Sequence, residues 1–246
     1  MMEKALYTIL SNELIADKTF RMRLAGPTGS LKRAGQFVDV AIDGFYLRRP
    51  LAAQEWDSDS LAVIYKVVGE GTAIMSEMAP GQSLELLCGL GNGFDADACR
   101  KSALIACGGL GASPVFSLAK ELLEAGKKVC VVMGFNTAAD AVLVDEFKAM
   151  GADVHLATMD GSLGIKGFVT DAIKAVQPEF DYFYTCGPAP MMKAVCQSLE
   201  GPGEASLEER MGCGCGICYG CTCHTASGPK RVCADGPVFK KEDIIW

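Results

Sequence analysis

The residues best suited to chemistry in this 246-residue chain are thiols. The stretch ERMGCGCGICYGCTCHTASGPKRVC, residues 209–233, holds six of the twelve cysteines, at 213, 215, 218, 221, 223 and 233. Spacing selects among them. Cys213, Cys218 and Cys221 form C-x4-C-x2-C, and Cys233 follows further on, the plant-type pattern for a [2Fe–2S] cluster. The overlapping run Cys215-x2-Cys218-x2-Cys221 begins like a [4Fe–4S] motif, but Thr225 stands where the fourth cysteine belongs. Gly212, Gly214, Gly216 and Gly220 suit a loop that wraps a cluster closely and aims amide N–H groups at its sulfurs. Zinc is the competing reading. Cys218 and Cys221 would form one pair, with Cys223, His224 or Cys233 completing four ligands, yet a separate second C-x2-C pair is missing. In the iron–sulfur reading Cys215 and Cys223 are bystanders. The cysteines at 88, 99, 107, 130, 186 and 196 lie mostly in apolar settings, as small buried hydrophobes do.

A cluster passes single electrons and needs a source for them. The turn CGGLGASP (107–114) lies between an expected strand and an expected helix, where Gly109 and Gly111 would let a pyrophosphate approach the helix start. Pro114 replaces the last glycine of a dinucleotide fingerprint, and VVMGFNTAA (131–139) lacks the acid that ends a Rossmann second strand. An ordinary Rossmann dehydrogenase is therefore not expected, and a tight turn without a ligand is the plain alternative. In LRRPLA (47–52), Arg48 and Arg49 at a strand end are suited to clamping a diphosphate, or form a solvated basic patch. Gly69, Gly71 and Thr72 of GEGT offer backbone N–H groups and a hydroxyl at another strand end. In TCGPAPMM (185–192), Cys186 and Gly187 fall at the carboxyl edge of a strand, either beside a nicotinamide or as an ordinary buried strand end.

The elements that must position these residues fall in three zones. Residues 1–98 carry short apolar or alternating segments, among them 5–10, 19–24, 36–42, 61–67 and 83–87, separated by turn clusters. Six strands at this spacing suggest a small antiparallel β-barrel. Residues 99–203 alternate strand and helix, the mark of a doubly wound parallel sheet. Its first helix is expected from Ser113 as N-cap and Pro114 as first helical residue to Gly126 as stop, its second over 139–152, and further helices over 167–177 and 188–199. The segment EGPGEAS (200–206) reads as a linker into the cysteine-rich domain, 204–246. The fold class is multi-domain, β plus α/β. A formal charge of −7 argues against nucleic acid as partner. No apolar run is long enough for a membrane span, and the start lacks a signal-peptide pattern, so a cytoplasmic location with reduced thiols is expected.

These features, in this order, resemble the ferredoxin-reductase superfamily, whose members hold FAD on a barrel and a nicotinamide dinucleotide on a sheet. RRPL, GEGT, LGNGF (90–94), ERMGCGCGICYGC and the closing VCADGPVF resemble, more narrowly, the electron-transfer subunits of class 1B dihydroorotate dehydrogenases, over the whole chain. The resemblance implies that Arg48, Arg49, Pro50 and Leu51 lie along FAD, followed by Ile64, Tyr65 and Lys66, with Gly69, Gly71 and Thr72 at its phosphates. It implies that Gly109, Gly111, Cys186 and Gly187 face NAD, and that Cys213, Cys218, Cys221 and Cys233 bind the [2Fe–2S] cluster. Cys186 would be a nicotinamide contact rather than a catalyst. Ala52 departs from the family, which usually has a small hydroxyl residue there; flavin tuning should differ accordingly. The implied partner is an FMN-containing catalytic subunit that oxidises dihydroorotate to orotate, in pyrimidine biosynthesis, with two copies of each subunit. A flavin belongs between cluster and nicotinamide because it accepts a hydride yet releases electrons singly. NAD is expected over NADP, since residues 134–147 contain no Lys or Arg and three acids. Two alternatives remain. One is the flavin/iron–sulfur small subunit of a bifurcating NADH-dependent ferredoxin:NADP oxidoreductase or a sulfide dehydrogenase, which usually places an aspartate among the cluster ligands. The other is a zinc-binding regulatory or scaffold protein.

Overall fold

The computed structural model describes residues 2–246. Six strands, β1 (Glu3–Ala16), β2 (Thr19–Ala25), β3 (Phe37–Val40), β4 (Arg49–Trp56), β5 (Ser60–Lys66) and β6 (Ser83–Leu90), close an antiparallel barrel in the order β1-β2-β5-β4-β3-β6. Alternation does the sorting. Tyr7, Met22, Val38, Val40, Val63 and Leu86 fill the interior while their strand neighbours face outward. The strand β4 carries the RRPL motif into the barrel wall. A short helix, α1 (Glu70–Glu77), bridges β5 to β6 and begins inside GEGT.

The second body is a sheet built on β7 (Ser102–Gly108), β8 (Lys128–Phe135), β9 (Asp153–Thr158), β10 (Ile165–Lys166), β11 (Tyr182–Cys186) and β12 (Gly203–Ser206). These six are parallel, in the order β10-β9-β8-β7-β11-β12. Two helices, α2 (Phe116–Glu124) and α3 (Val144–Ala149), cover one face together with the barrel. The other two, α4 (Val169–Val176) and α5 (Ala189–Ser198), cover the second face. Beyond β12 the chain leaves the sheet, forms the hairpin β13 (Thr222–Thr225) and β14 (Gly228–Arg231), and returns as β15 (Val238–Lys240), antiparallel to β12.

Three expectations shift. Helix α2 starts at Phe116, because Gly109–Ala112 coils into a 3-10 turn first and Val115, not Ser113, is the N-cap. The expected helix over 139–152 is helical only over α3, since a 3-10 turn at Ala138–Asp140 precedes it and Leu143 takes φ 61°. The supposed linker 200–206 contains β12, whose backbone is buried between β11 and β15. Its residues, Gly-Glu-Ala-Ser, have little strand preference of their own; the neighbouring ladders supply it. The cysteine-rich segment thus completes the central sheet as well as forming its own hairpin.

Candidate redox site

The order of the sheet reverses between β7 and β11, and ligands of open α/β sheets bind beyond the carboxyl ends of the strands at such a point. There the two glycine turns touch backbone to backbone. A Cβ on Gly111 would sit 2.2 Å from the Cys186 carbonyl oxygen, and one on Gly187 would sit 2.9 Å from Gly108 N. Only glycine fits where main chains pack this closely. A cavity of about 610 Å³ opens above them, lined by Gly108, Gly109, Gly134, Asn136 and Pro188 among others, with exposed Met159 and Phe168 at its rim. Asp140 also lines it and forms an ion pair with Lys66 across the domain boundary, Oδ1 to Nζ 2.9 Å. The hydrogen bond from Lys66 holds the Asp140 carboxyl below its ordinary range. An acid therefore does reach this cavity just past β8, one residue beyond the stretch that lacked one, because the 138–140 turn folds it inward. The structure puts Lys66 in this cavity.

A second cavity, of about 180 Å³, lies where all three zones meet. Pro50, Leu51, Ala52 and Ile64 face it from the barrel, Gly111, Cys186 and Gly187 from the sheet, and Met211 from the start of the cysteine loop. Burial pushes the Cys186 thiol up to about 12, against a hydrogen bond from the Ser206 hydroxyl. The two arginines separate. Arg48 pairs with Glu85 and donates to the Asp39 carbonyl at 3.3 Å. The Arg49 guanidinium stacks 4.6 Å from the centre of the Phe45 ring and lies against Gly71, where a Cβ would come within 2.6 Å of it. Arg49 therefore stands over the first turn of α1, whose leading amides lack intrahelical partners. Gly69 is the N-cap, and the Thr72 hydroxyl accepts from Val68 N and Gly69 N, so it closes the helix start. Tyr65 points into the barrel, donating to Asn12 Oδ1 at 2.9 Å.

The cysteine loop shows the amide pattern of a sulfur cage. Cys213 Sγ accepts from Ile217 N at 3.2 Å and Cys218 N at 3.4 Å, Cys218 Sγ from Gly220 N, Cys233 Sγ from Gly216 N at 3.1 Å and Cys221 Sγ from Cys233 N. Burial would raise the Cys213 thiol, but the amides of Cys218 and Cys215 outweigh it and bring it down to about 6. Such donors stabilise sulfur-borne negative charge. Gly214 and Gly216 take φ of 65° and 86°, and a Cβ on Gly214 would strike Asp39. Arg231 braces the loop by a bond to the Gly216 carbonyl and an ion pair with Asp235. Cys223 is buried in β13, and neighbouring His224 is exposed and faces the other way, so the structure does not assemble the zinc set through His224. All twelve cysteines are free thiols. Sequence reasoning missed Phe37, which lines the junction cavity and also packs with Cys221 and Cys233. It missed Asn92 as well, whose side chain bonds to Val238 in both directions and docks the tail on LGNGF.

A barrel, a doubly wound sheet and a thiol cage sharing one junction define a ferredoxin-reductase-like, NAD-linked oxidoreductase module with an appended iron–sulfur domain. Residues 105–197 match the oxidoreductase NAD-binding domain, and residues 208–245 match the iron–sulfur cluster binding domain of dihydroorotate dehydrogenase B. The chain is 41% identical to the dihydroorotate dehydrogenase B (NAD(+)) electron transfer subunit of Bacillus caldolyticus, over 97% of each chain. The corresponding subunit of Fusobacterium nucleatum is 39% identical over 96% of each. The chain belongs to this family of electron transfer subunits. It also resembles, at 31% identity and TM-score 0.89, over 98% of this chain and 90% of the other, a chain of an NADH-dependent reduced ferredoxin–NADP oxidoreductase described for flavin-based electron bifurcation. A ferredoxin NADP+ reductase of Neisseria gonorrhoeae shares the fold at 18% identity, TM-score 0.68, over 79% of this chain and 89% of that one. The higher identity and the matching cluster domain favour the dihydroorotate dehydrogenase assignment over the bifurcating one.

Proposed function

We propose that this chain carries electrons from a dihydroorotate-oxidising partner to NAD+, through a [2Fe–2S] cluster held by Cys213, Cys218, Cys221 and Cys233 and an FAD seated in the junction cavity. The observation that carries this reading is Phe37, which walls that cavity and belongs to the buried cluster that contains Cys221 and Cys233. The flavin seat and the cluster seat would thus adjoin one packed cluster. The residues present fit both groups: apolar Pro50, Leu51 and Ile64 suit a flat ring, a buried polar atom on the opposite wall lacks a partner, and backbone amides already aim at the four sulfurs.

Arg49 and the first-turn amides of α1, at Gly71 and Thr72, would hold the FAD pyrophosphate, with Gly69 giving the chain its close approach. Arg48 would act from behind, by fixing β4 to β6. Tyr65 would meet the flavin only through its backbone, and Lys66 would lie on the nucleotide side. Gly109, Gly111, Cys186 and Gly187 would let NAD cross from the larger cavity into the junction. When bound, FAD supplies the conversion between a two-electron hydride and single electrons. The protein's part is to position the rings and exclude water; no side chain has to move a proton for hydride transfer. Overall, dihydroorotate and NAD+ become orotate, NADH and a proton.

We place the partner, an FMN-containing catalytic subunit in a two-plus-two assembly, against the cysteine loop. Ile217 and Tyr219 there are 78% and 65% exposed, a solvent-facing apolar pair beside the cluster ligands. Free thiols throughout support a cytoplasmic setting. No helix among the described residues is long and apolar enough to cross a membrane. An anaerobic NADH titration, with iron and flavin quantified on the same sample, tests the reading. Flavin and iron–sulfur bands that both bleach support it; a colourless, zinc-loaded chain sinks it.

A further inference from the structure

The junction cavity has one buried hydroxyl with nothing to bind. Ser113 is 2% exposed and lines the cavity, and its Oγ has no hydrogen-bond partner. The other polar side chains on the wall are accounted for. Ser206 Oγ is not an orphaned buried atom, and Glu208 and Glu209 are exposed carboxylates that only accept. A buried hydroxyl left unpaired is costly, so its retention points to a partner present in the working protein.

Its position says which partner. Ser117 donates to the Gln54 carbonyl on β4, and Ser113 lies about one helical turn earlier, with right-handed helical backbone angles. Along β4, Ala53 faces the barrel core, so Ala52 before it faces outward, onto the cavity it lines. Ser113 lines that same cavity from the opposite wall, and the Ser117 bond docks its turn on β4. At that wall the Ala52 side chain is a methyl group, with no hydroxyl to donate.

We propose that Ser113 Oγ is a positioning residue for the isoalloxazine ring, donating a hydrogen bond to its polar edge from the nucleotide-binding domain where the Ala52 side chain has none to give. The inference rests on the FAD reading above. It ties the ring to both domains at once, so the flavin's binding and electronic environment depend on how sheet and barrel are docked. A donor at that edge favours the electron-rich reduced ring, so its loss should lower the flavin potential.

The test uses the full chain, deflavinated and titrated with FAD, as wild type, Ser113→Ala and Ser113→Thr. Ser113→Ala should bind FAD about tenfold more weakly, as expected for one lost hydrogen bond. Its visible flavin band should shift, and without FAD it should be no less stable than wild type, because the change removes an unpaired buried hydroxyl. Ser113→Thr should keep wild-type affinity and spectrum. Wild type that binds no FAD overturns the flavin reading itself. Wild type that binds FAD while Ser113→Ala matches it in affinity and spectrum overturns the Ser113 inference alone. So does a Ser113→Thr variant as weak as Ser113→Ala, or a loss that appears equally in the stability of the flavin-free chain.

Discussion

Arg48 and Arg49 are neighbours in sequence with opposite duties, and separating them tests the flavin seat. Strand alternation sends the two side chains to different faces. Arg48 is spent inside the protein, on Glu85 and the carbonyls of Asp39 and Glu85. Arg49 rests on Phe45 and on Gly71 at the start of α1, where a pyrophosphate would meet its fork and the helix amides together. Replacing Arg49 with Ala would remove a charge-assisted contact worth about 1.5–3 kcal/mol. FAD affinity should then fall by about tenfold to 150-fold, with little change in melting temperature. Arg48→Ala should behave the other way. Two backbone carbonyls lose their donor and Glu85 is left with Lys4 alone, so the melting temperature drops; FAD affinity stays within about threefold because a displaced charge is screened by solvent. Flavin fluorescence titration and thermal unfolding on the same preparations measure both quantities. If Arg48→Ala loses FAD as severely as Arg49→Ala at unchanged melting temperature, the pyrophosphate does not lie at Arg49 and α1.

Serine at 213, 218, 221 or 233 should abolish the iron–sulfur absorption, while serine at 215 or 223 should leave iron content intact; metal analysis with the visible spectrum decides it. Gly111→Ala forces a methyl against the Cys186 carbonyl. It should slow flavin reduction by NADH on the order of tenfold to a hundredfold with FAD content unchanged, and stopped-flow absorbance would show it. Glu204, buried beside Tyr182 and Tyr184, is raised by burial to about 7 from an ordinary 4.5. Between those pH values the folded chain keeps a proton that the unfolded chain has lost, so stability declines as pH rises through that window, by roughly 3 kcal/mol in all. Glu204→Gln, which can still accept from Asp95 N, should match wild type near pH 4.5 and exceed it at pH 8. Denaturant unfolding across that range checks the sign, and a variant weaker than wild type at pH 8 contradicts it.

The iron–sulfur binding segment was legible in the chain because a cysteine loop is local. Cys213, Cys218 and Cys221 fall within nine residues, so spacing alone constrains the geometry, and the glycines between them mark where the loop must turn. The barrel strands and the alternating sheet were legible because hydrophobic period reports which faces are buried. Short-range signals also located Arg49, Gly71, Gly111 and Gly187 near strand ends. What they could not do was tell Arg48 from Arg49. That depends on β3 seating β4 close enough to β6 for the Arg48 side chain to reach Glu85, a contact between residues far apart in the chain.

Tertiary structure alone decided the rest. The weak strand formers at 203–206 become β12 only because β11 and β15 supply ladders on both sides. Asp140 enters the larger cavity because a turn folds toward Lys66 of the barrel. Phe37 joins the junction cavity to the cysteine cluster because β3 packs against the cysteine loop, and Ser113 shares that cavity with Ala52 because α2 docks on β4. The sequence by itself determined the chemical inventory and the local elements that present it, since both follow from residue type and spacing. The meeting of barrel, sheet and cysteine segment at the junction cavity was set by packing among segments far apart in the chain, and no local pattern encodes such contacts.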